Sequence, residues 1–217
     1  VKNLPVVCAG SGLAIGLPAN WGIAPSPQSA RLPPPKGRKA IVSGSCSSAT
    51  NAQVTAFVRA GGAARGLDPM TLAAMEGDTA KLLSEWAEWA DSEWRLHPER
   101  PLLIYSTAEP LAVKSVQAQL GIEHAGALVE RVLASAARQL VDQGVRQLVV
   151  AGGETSGACV RALGIERLQI GGQIEPGVPW CHATSPAAGG EGLHIALKSG
   201  NFGGVNFFTK AFAELMT

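Results

Sequence analysis

Residues 148–158, Leu-Val-Val-Ala-Gly-Gly-Glu-Thr-Ser-Gly-Ala, constrain the fold of this chain more than any other segment. A short apolar stretch ends there in two glycines, and hydroxyl side chains follow at once. This order predicts a buried strand, a loop of the size that holds a phosphate, and the first turn of a helix. The segment is therefore typical of an α/β domain.

Two other segments share this character. They are residues 40–50, Ala-Ile-Val-Ser-Gly-Ser-Cys-Ser-Ser-Ala-Thr, and residues 193–204, Leu-His-Ile-Ala-Leu-Lys-Ser-Gly-Asn-Phe-Gly-Gly. Loops that follow parallel strands converge at one edge of the sheet, and open α/β sheets bind their ligands in the crevice at that edge. The leading hypothesis is a nucleotide or phosphate site.

The remaining hydrophobic pattern continues this alternation of strands and helices. We predict strands at residues 4–9, 40–43, 101–105, 147–151, 168–170 and 193–197. We predict helices at residues 48–60, 82–90, 110–120, 128–141 and 155–163, and a last helix that holds Phe208, Phe212 and Leu215. Strands that alternate with helices over this length indicate an α/β fold, a mainly parallel β-sheet with helices on both faces.

Composition and charge exclude several classes of protein. Of the 217 residues, 46% are hydrophobic and 16% are charged, as in a soluble globular protein, and the net charge is only +1. Because no run of Lys and Arg could neutralise many phosphates, we expect no nucleic-acid partner. No apolar run has the length of a membrane span, so we expect no membrane association. The cysteines and histidines lack metal-ligand spacing, which disfavours a metal site built by the chain and favours a reduced, cytoplasmic compartment.

Residues 24–39 differ from the rest of the chain in composition. They are rich in Pro, Ser, Arg and Lys and include three consecutive prolines, so they cannot form a helix or a central strand. We predict a surface connection here, which makes residues 1–39 a leading segment with its connection and residues 40–217 the α/β core. The chain begins with Val1 rather than Met, and we therefore expect it to be a piece of a longer protein.

The loop of residues 152–157 has the chemistry of an anion site. An anion that meets little positive charge needs backbone N–H groups, and these are free at a helix N-terminus where glycine permits close approach. Gly152 and Gly153 would supply the approach, and Thr155 and Ser156 could add hydroxyl donors. The alternative is an ordinary strand-to-helix turn with a Thr or Ser cap. A Walker-type NTPase is disfavoured, because Ala-Cys stands where that motif has Lys-Ser/Thr.

The other two loops offer further candidates. Residues 43–48 hold four hydroxyls and a glycine before a helix, which indicates a second cradle for phosphate or ribose, with a polar N-capping turn as the alternative. Cys46 has no neighbouring His or other base in sequence, which disfavours a hydrolase with a cysteine nucleophile. Lys198 could reach a phosphate from the third loop, although a single Lys at a strand end is more often solvated.

Two carboxylates and one glycine pattern are the remaining candidates for a functional role. Glu109 and Glu154 each follow a predicted strand, where a carboxylate could contact ribose or a hydrated Mg²⁺. Local capping is the alternative for both. The glycines at positions 10, 12 and 16 approach the dinucleotide fingerprint. The spacing is one residue too long and the acidic residue is missing, which disfavours a Rossmann dehydrogenase.

Four motifs, in this order and spacing, resemble the C-terminal nucleotide-binding domain of the four-carbon acid sugar kinases, closest to its 3-oxo-tetronate 4-kinase branch. They are Ser-Gly-Ser-Cys-Ser at residues 43–47, Gly-Gly-Glu-Thr-Ser-Gly at 152–157, Ile-Glu-Pro-Gly-Val-Pro-Trp at 174–180 and Leu-Lys-Ser-Gly-Asn-Phe-Gly at 197–203. The resemblance covers nearly the whole chain and includes residues 10–18. It implies an ATP-dependent kinase that uses Mg²⁺ and phosphorylates the terminal (C4) hydroxyl of a four-carbon sugar acid.

The resemblance also implies which residues contact ATP. Carried over by motif, these are Ser43, Ser45, Ser47, Gly152, Gly153, Glu154, Thr155 and Gly200, with Ser45 or Ser47 expected as the first serine contact. In the family a separate N-terminal domain holds the sugar acid, and the Asp-Asp motif of that domain is absent from this sequence. We therefore expect the acceptor site and the catalytic base to lie on that N-terminal domain, which would be a partner of this chain. A homo-oligomer is compatible with this arrangement. The alternative is a non-catalytic nucleotide- or phosphate-binding regulatory module.

Overall fold

The structure is a computed structural model, which describes residues 4–24, 26, 28, 30–68, 71–72, 75, 79–106 and 122–215. It divides into two compact units, Val1–Arg31 and Leu32–Thr217. The described part of the first unit contains two short 3-10 helices, Ser11–Gly16 and Pro18–Trp21. Residues 4–9, which we predicted as a strand, join no sheet in the described part of the chain.

The second unit is built on one sheet whose strands are ordered β2-β3-β1-β4-β7-β6-β5. The strands are β1 Arg38–Ser43, β2 Ala63–Gly66, β3 Leu102–Tyr105, β4 Val145–Ala151, β5 Gln169–Glu175, β6 Val178–Thr184 and β7 Gly192–Lys198. In the part of this order that runs β2-β3-β1-β4-β7, each strand is parallel to its neighbour. The strand β6 is antiparallel to both of its neighbours, β7 and β5. The prediction of a mainly parallel sheet is confirmed.

The described helices cover this sheet. They are α1 Ser48–Arg59, α2 Ala80–Leu96, α3 Ile122–Asp142, α4 Gly153–Ala162 and α5 Phe207–Glu214, with a 3-10 turn at Pro186–Ala188. The helix predicted at 110–120 and the side chain of Glu109 lie outside the described residues. Within the part of the chain that the structure describes, no helix is both long and apolar enough to span a membrane.

Two apolar cores form because successive strand residues point to opposite faces. On β1, Val42 packs with the helices α2, α3 and α4, whereas Ile41 packs with α1 and α5. On β4, Val150 and Val149 divide between the same two cores. Since these strands are buried on both faces, their sequences are continuous apolar runs, and the prediction of helices on both faces of the sheet is confirmed.

The chain before β1 is held against the amino ends of the strands. Leu32 packs against the core that α1 and α5 cover. The ring Nε2 of His194 lies 2.9 Å from the carbonyl oxygen of Pro33. The side-chain amide of Gln147 donates to the carbonyls of Lys36 and Gly37, each at 3.3 Å. Residues 32–37 are therefore anchored to the sheet and its core before β1 begins.

Candidate nucleotide-binding site

The point where the strand order reverses lies between β1 and β4. The chain leaves β1 toward β2 and β3 on one side, and it leaves β4 toward β7 on the other. In open α/β sheets this is the point at which a crevice forms at the carboxyl ends of the strands, and a ligand is expected there. The three loops singled out in the sequence follow β1, β4 and β7, which are neighbours in the sheet.

Backbone hydrogen bonds join the three loops. The N–H groups of Gly44 and Ser45 donate to the carbonyl of Ala151 at 3.0 and 3.2 Å. The N–H of Gly152 donates to the carbonyl of Lys198 at 2.8 Å. The structure thus brings the predicted site residues together on one continuous edge.

The serines of the first loop have different positions. Ser43 is fully buried at the end of β1, so its side chain lies beneath the crevice surface. Ser47 caps α1, because its hydroxyl oxygen accepts from the N–H of Thr50 at 3.2 Å, and its O–H donates to the carbonyl of Gly200 at 2.6 Å. Ser45 is half-buried beside it, with 3.3 Å between the two hydroxyl oxygens. The N-capping alternative describes Ser47, whereas the half-buried Ser45 does not cap the helix.

Gly152 is confined by its surroundings, and Gly153 is not. Gly152 has φ +127°, a conformation that side chains with a Cβ rarely adopt. A Cβ there would lie 2.8 Å from the Thr155 hydroxyl and 3.2 Å from the N–H nitrogen of Ser45. A Cβ on Gly153 would meet no described atom within 4 Å. The open side of the loop is therefore at Gly153, where only a ligand would compete for the space.

The first turn of α4 leaves its amide groups available. The N-cap residue is Gly152, which has no side chain to cover the first N–H groups of the helix. Glu154 stands in this turn and is exposed. Thr155 is buried under the loops rather than exposed to the crevice. An uncapped helix start with a glycine at its open side is suited to bind an anion through backbone groups.

Lys198, at the end of β7, is buried and points into the third loop. Its ammonium donates to the Thr50 hydroxyl at 3.0 Å and to the carbonyls of Ser199, Gly200 and Phe202, each at 3.1 Å. Burial lowers the pKa of Lys198 to about 8, although the charge of Glu175 opposes this shift. From the sequence we expected a lysine that reaches a phosphate or one that is solvated. The side chain is instead fully buried, and its ammonium donates to loop carbonyls.

Gln53 donates to further carbonyls of the third loop. Its amide nitrogen lies 3.0, 2.9 and 3.1 Å from the carbonyl oxygens of Phe202, Gly203 and Gly204. In a planar trans peptide the next N–H points away from the carbonyl. The N–H groups of residues 200, 201 and 203 consequently point away from Lys198 and Gln53. These contacts leave the N–H groups of residues 200, 201 and 203 directed outward from the buried ammonium, where an anion could accept from them.

Carboxylates also lie near the start of α4. The carboxyl of Glu130 on α3 is close to that of Glu154, and burial together with this neighbour raises the pKa of Glu130, although Arg161 opposes the shift. Glu175 on β5 is engaged elsewhere, by the ammonium of Lys210 and by the N–H of Gly204. Among the residues that the structure describes, no group of three or more His, Cys, Asp or Glu side chains could hold a metal ion.

The fold defines an α/β domain with a mainly parallel sheet, and the three loops lie together at the carboxyl edge of that sheet. More particularly, the chain belongs to the family described as the nucleotide-binding C-terminal domain, whose family model matches residues 40–208. The resemblance found in the four motifs is confirmed by this match.

Curated relatives and solved structures agree with this assignment. A 3-oxo-tetronate kinase of Pseudomonas fluorescens is 48% identical over 98% of this chain and 47% of the relative. A Salmonella typhimurium crystal structure, provisionally named a tRNA synthase, matches with TM-score 0.74 and 36% identity over 97% of this chain and 47% of its own. A Haemophilus influenzae crystal structure from a family of unknown function has TM-score 0.73 and 35% identity over 85% of this chain and 42% of its own. The chain spans about half the length of the curated relatives it matches.

Proposed function

We propose that this chain is the ATP-binding half of a kinase that phosphorylates the terminal (C4) hydroxyl of a four-carbon sugar acid such as 3-oxo-tetronate. The observation that carries the proposal is the third loop, whose carbonyls are held by Lys198 and Gln53 so that its amides turn the other way. The hydrogen bond from the Gly152 N–H to the Lys198 carbonyl joins the start of this loop to the uncapped start of α4. The names of the relatives support the reaction and the substrate class.

The residues present fit a nucleotide with its phosphates. The α4 amides at Gly153, Glu154 and Thr155 would hold one phosphate, and the space beside Gly153 admits it. The amides from Gly200 onward would hold another, with the Ser45 hydroxyl as a further donor. Ser43 and Ser47 would act by fixing the first loop, because one is buried and the other caps α1.

Mg²⁺ would arrive with the nucleotide. Magnesium in phosphoryl-transfer sites is bound mainly by substrate phosphates, water and one or two carboxylates. Glu154 stands exposed beside the start of α4 and is the carboxylate placed to assist, with Glu130 next to it. The described residues thus suit a metal that the phosphates carry rather than one held by a cage of side chains.

ATP supplies the γ-phosphoryl group, and the chain's own contribution is position and charge. Phosphoryl transfer needs little covalent chemistry from the protein, because most of the rate gain comes from alignment and from stabilising charge. Fixed amides provide that stabilisation without having to reorient during the reaction. The sugar acid and the base that deprotonates its hydroxyl would be held by a further domain, in a protein of the length of the curated relatives. We refer to that protein as the longer protein and to the further domain as its other half.

We expect this chain to bind ATP and ADP, and Gly153→Val to weaken both. The valine would occupy the phosphate's space, so affinity should fall at least tenfold, about 1.4 kcal/mol. Because a Cβ at Gly153 meets no described atom within 4 Å, the variant should fold normally. Titration calorimetry measures the affinity, and circular dichroism checks the fold.

Gly172→Val is the matched control for that measurement. Gly172 is also exposed, and a Cβ there would meet no described atom within 4 Å, but it lies on β5 at the edge of the sheet, separated from β4 by two strands. The affinity of this control for ATP should equal that of the unchanged chain. Absence of binding up to millimolar nucleotide by folded protein would exclude the proposed site, and unchanged affinity in Gly153→Val would move the site away from this loop.

Lys198 gives the site a dependence on pH. The pKa of this lysine is about 8 in the folded chain, well below the ordinary value near 10.4. Between these values the unfolded chain binds more protons, so the contribution of Lys198 to the free energy of unfolding rises with pH. Affinity for ATP should fall over the same range, since the ammonium that favours an anion is lost. Calorimetry and urea unfolding from pH 7 to pH 10 should show these opposite slopes, and parallel slopes would refute the assignment.

A further inference from the structure

The first unit exposes an unusual amount of apolar surface. Its large hydrophobic side chains that are exposed are Leu4, Val6, Val7, Leu13, Ile15, Trp21 and Ile23. Val6 and Ile15 are 80% and 87% exposed, and Trp21 is 58% exposed. Soluble proteins rarely leave a large continuous apolar patch in water, and such patches mark surfaces that another protein segment covers.

Residues 4–9 have the pattern of a strand that lacks its sheet. Leu4 and Val6 are two residues apart and would lie on one face of a strand, with Val7 on the other. All three are exposed, and this segment joins no sheet in the described part of the chain. A strand with apolar residues on both faces belongs inside a sheet covered on both sides. The 3-10 helices at Ser11–Gly16 and Pro18–Trp21 follow directly, as a covering element follows a strand in an α/β unit.

The family match and the curated relatives indicate where that sheet is. The match to the nucleotide-binding C-terminal domain begins at residue 40, after the first unit has ended. The match to the curated 3-oxo-tetronate kinase of Pseudomonas fluorescens nevertheless covers 98% of this chain. The first unit is therefore shared with relatives about twice as long, and it lies outside the part of them that forms the nucleotide-binding domain.

We propose that residues 4–9 form a strand in a β-sheet of the other half of the longer protein, and that Ser11–Trp21 pack over that sheet. Main-chain hydrogen bonds to neighbouring strands would join the segment to the sheet, and the exposed apolar side chains would enter the core on its two faces. The first unit is then the part of this chain that holds the other half in place. This packing does not depend on which ligand the second unit binds.

Cys8 provides a direct probe of the proposed strand, because its thiol is exposed within the segment. Labelling with N-ethylmaleimide should be fast in this chain and at least about 100-fold slower in the longer protein, since a strand within a sheet opens rarely. Hydrogen exchange of the amides of residues 6–9 should slow in parallel. Both samples labelled in denaturant should react at the same rate, which controls for the chemistry of the thiol itself.

Val6→Asp tests the apolar contact separately. In the longer protein this variant should lower the melting temperature by several degrees, whereas Leu96→Asp, at a side chain 73% exposed on the end of α2, should not. Equal labelling of Cys8 in the two unmodified proteins would overturn the proposal. Slow labelling of Cys8 in the isolated 217-residue chain, together with dimers in sedimentation, would also overturn the proposal. A second copy of the chain would then be what covers the apolar surface. Nucleotide binding is not measured, so the two proposals can fail separately.

Discussion

Replacement of Lys198 by methionine is expected to lower the free energy of unfolding by about 3 kcal/mol, because buried acceptors would lose their donor. The ammonium serves the Thr50 hydroxyl and the carbonyls of Ser199, Gly200 and Phe202, and methionine has similar length but cannot donate. The loop carbonyls would turn toward water, and the amides would lose the outward orientation that these contacts impose. Affinity for ATP should fall with stability. Urea unfolding and calorimetry measure the two effects.

Lys210→Met is the matched control for this prediction. Lys210 is an ammonium on the neighbouring helix α5, pairs with Glu175 and is partly exposed. Because a partly exposed ion pair contributes little, the control should lose less than about 1 kcal/mol. Equal losses in the two variants would mean that Lys198 acts only as one more positive charge, and unchanged stability in Lys198→Met would mean that the loop does not depend on it.

The second large effect concerns phosphoryl transfer. We expect residues 1–217 to show no transfer above background to erythronate, threonate or 3-oxo-tetronate, and the longer protein to show acid-dependent turnover. Alignment of the acceptor hydroxyl with the γ-phosphate can supply several kcal/mol of barrier reduction, or a rate factor of about 1,000 or more. In the proposed division of labour, the group that supplies this alignment is outside the present chain.

The assay is ADP release with each acid, run in parallel on this chain and on the longer protein. ATP affinity measured on both samples shows whether an inactive sample still has its nucleotide site. Robust acid-dependent turnover by this chain alone would show that it carries its own acceptor site. Transfer by neither protein, with ATP bound by both, would favour the regulatory module over the kinase.

The central strands could be predicted from sequence because burial on both faces makes them continuous apolar runs. β1 ends at Ser43, and Gly152 and Ser199 follow β4 and β7 directly at the edge of the sheet, so their loops were recognisable as well. Eight predicted site residues consequently fall on three adjoining loops. Their separate roles could not be predicted, since the burial of Ser43 and Thr155 depends on how the loops pack on one another.

The hairpin of β5 and β6 was recognised only as a short strand near 168–170. β5 has two glycines and mostly exposed side chains, so it lacks the apolar run that identifies a strand. The Pro176-Gly177 pair was the available signal, because Gly177 has φ +81° in the turn that joins the two strands. β2 was missed because its Ala-Ala-Arg-Gly sequence has little strand preference and depends on pairing with β3.

Lys198 shows the limit of local reasoning. Its neighbours in sequence indicate only a strand end, and the acceptors that hold it come from residues 50 and 199–202. A lysine side chain is usually solvated, so its direction could be known only once α1 and the third loop were placed around it. The orientation of the loop amides follows from this contact rather than from the glycines that first identified the loop.

The anchoring of residues 32–37 has a mechanical consequence. These residues are held at the amino ends of the strands, whereas the crevice lies at the carboxyl ends, about 20 Å away along a strand of this length. Tension on the chain that precedes residue 32 would be borne first by these contacts and then by β1, at the amino edge of the sheet. The three loops lie at the opposite edge, outside this path, so such strain would reach them last.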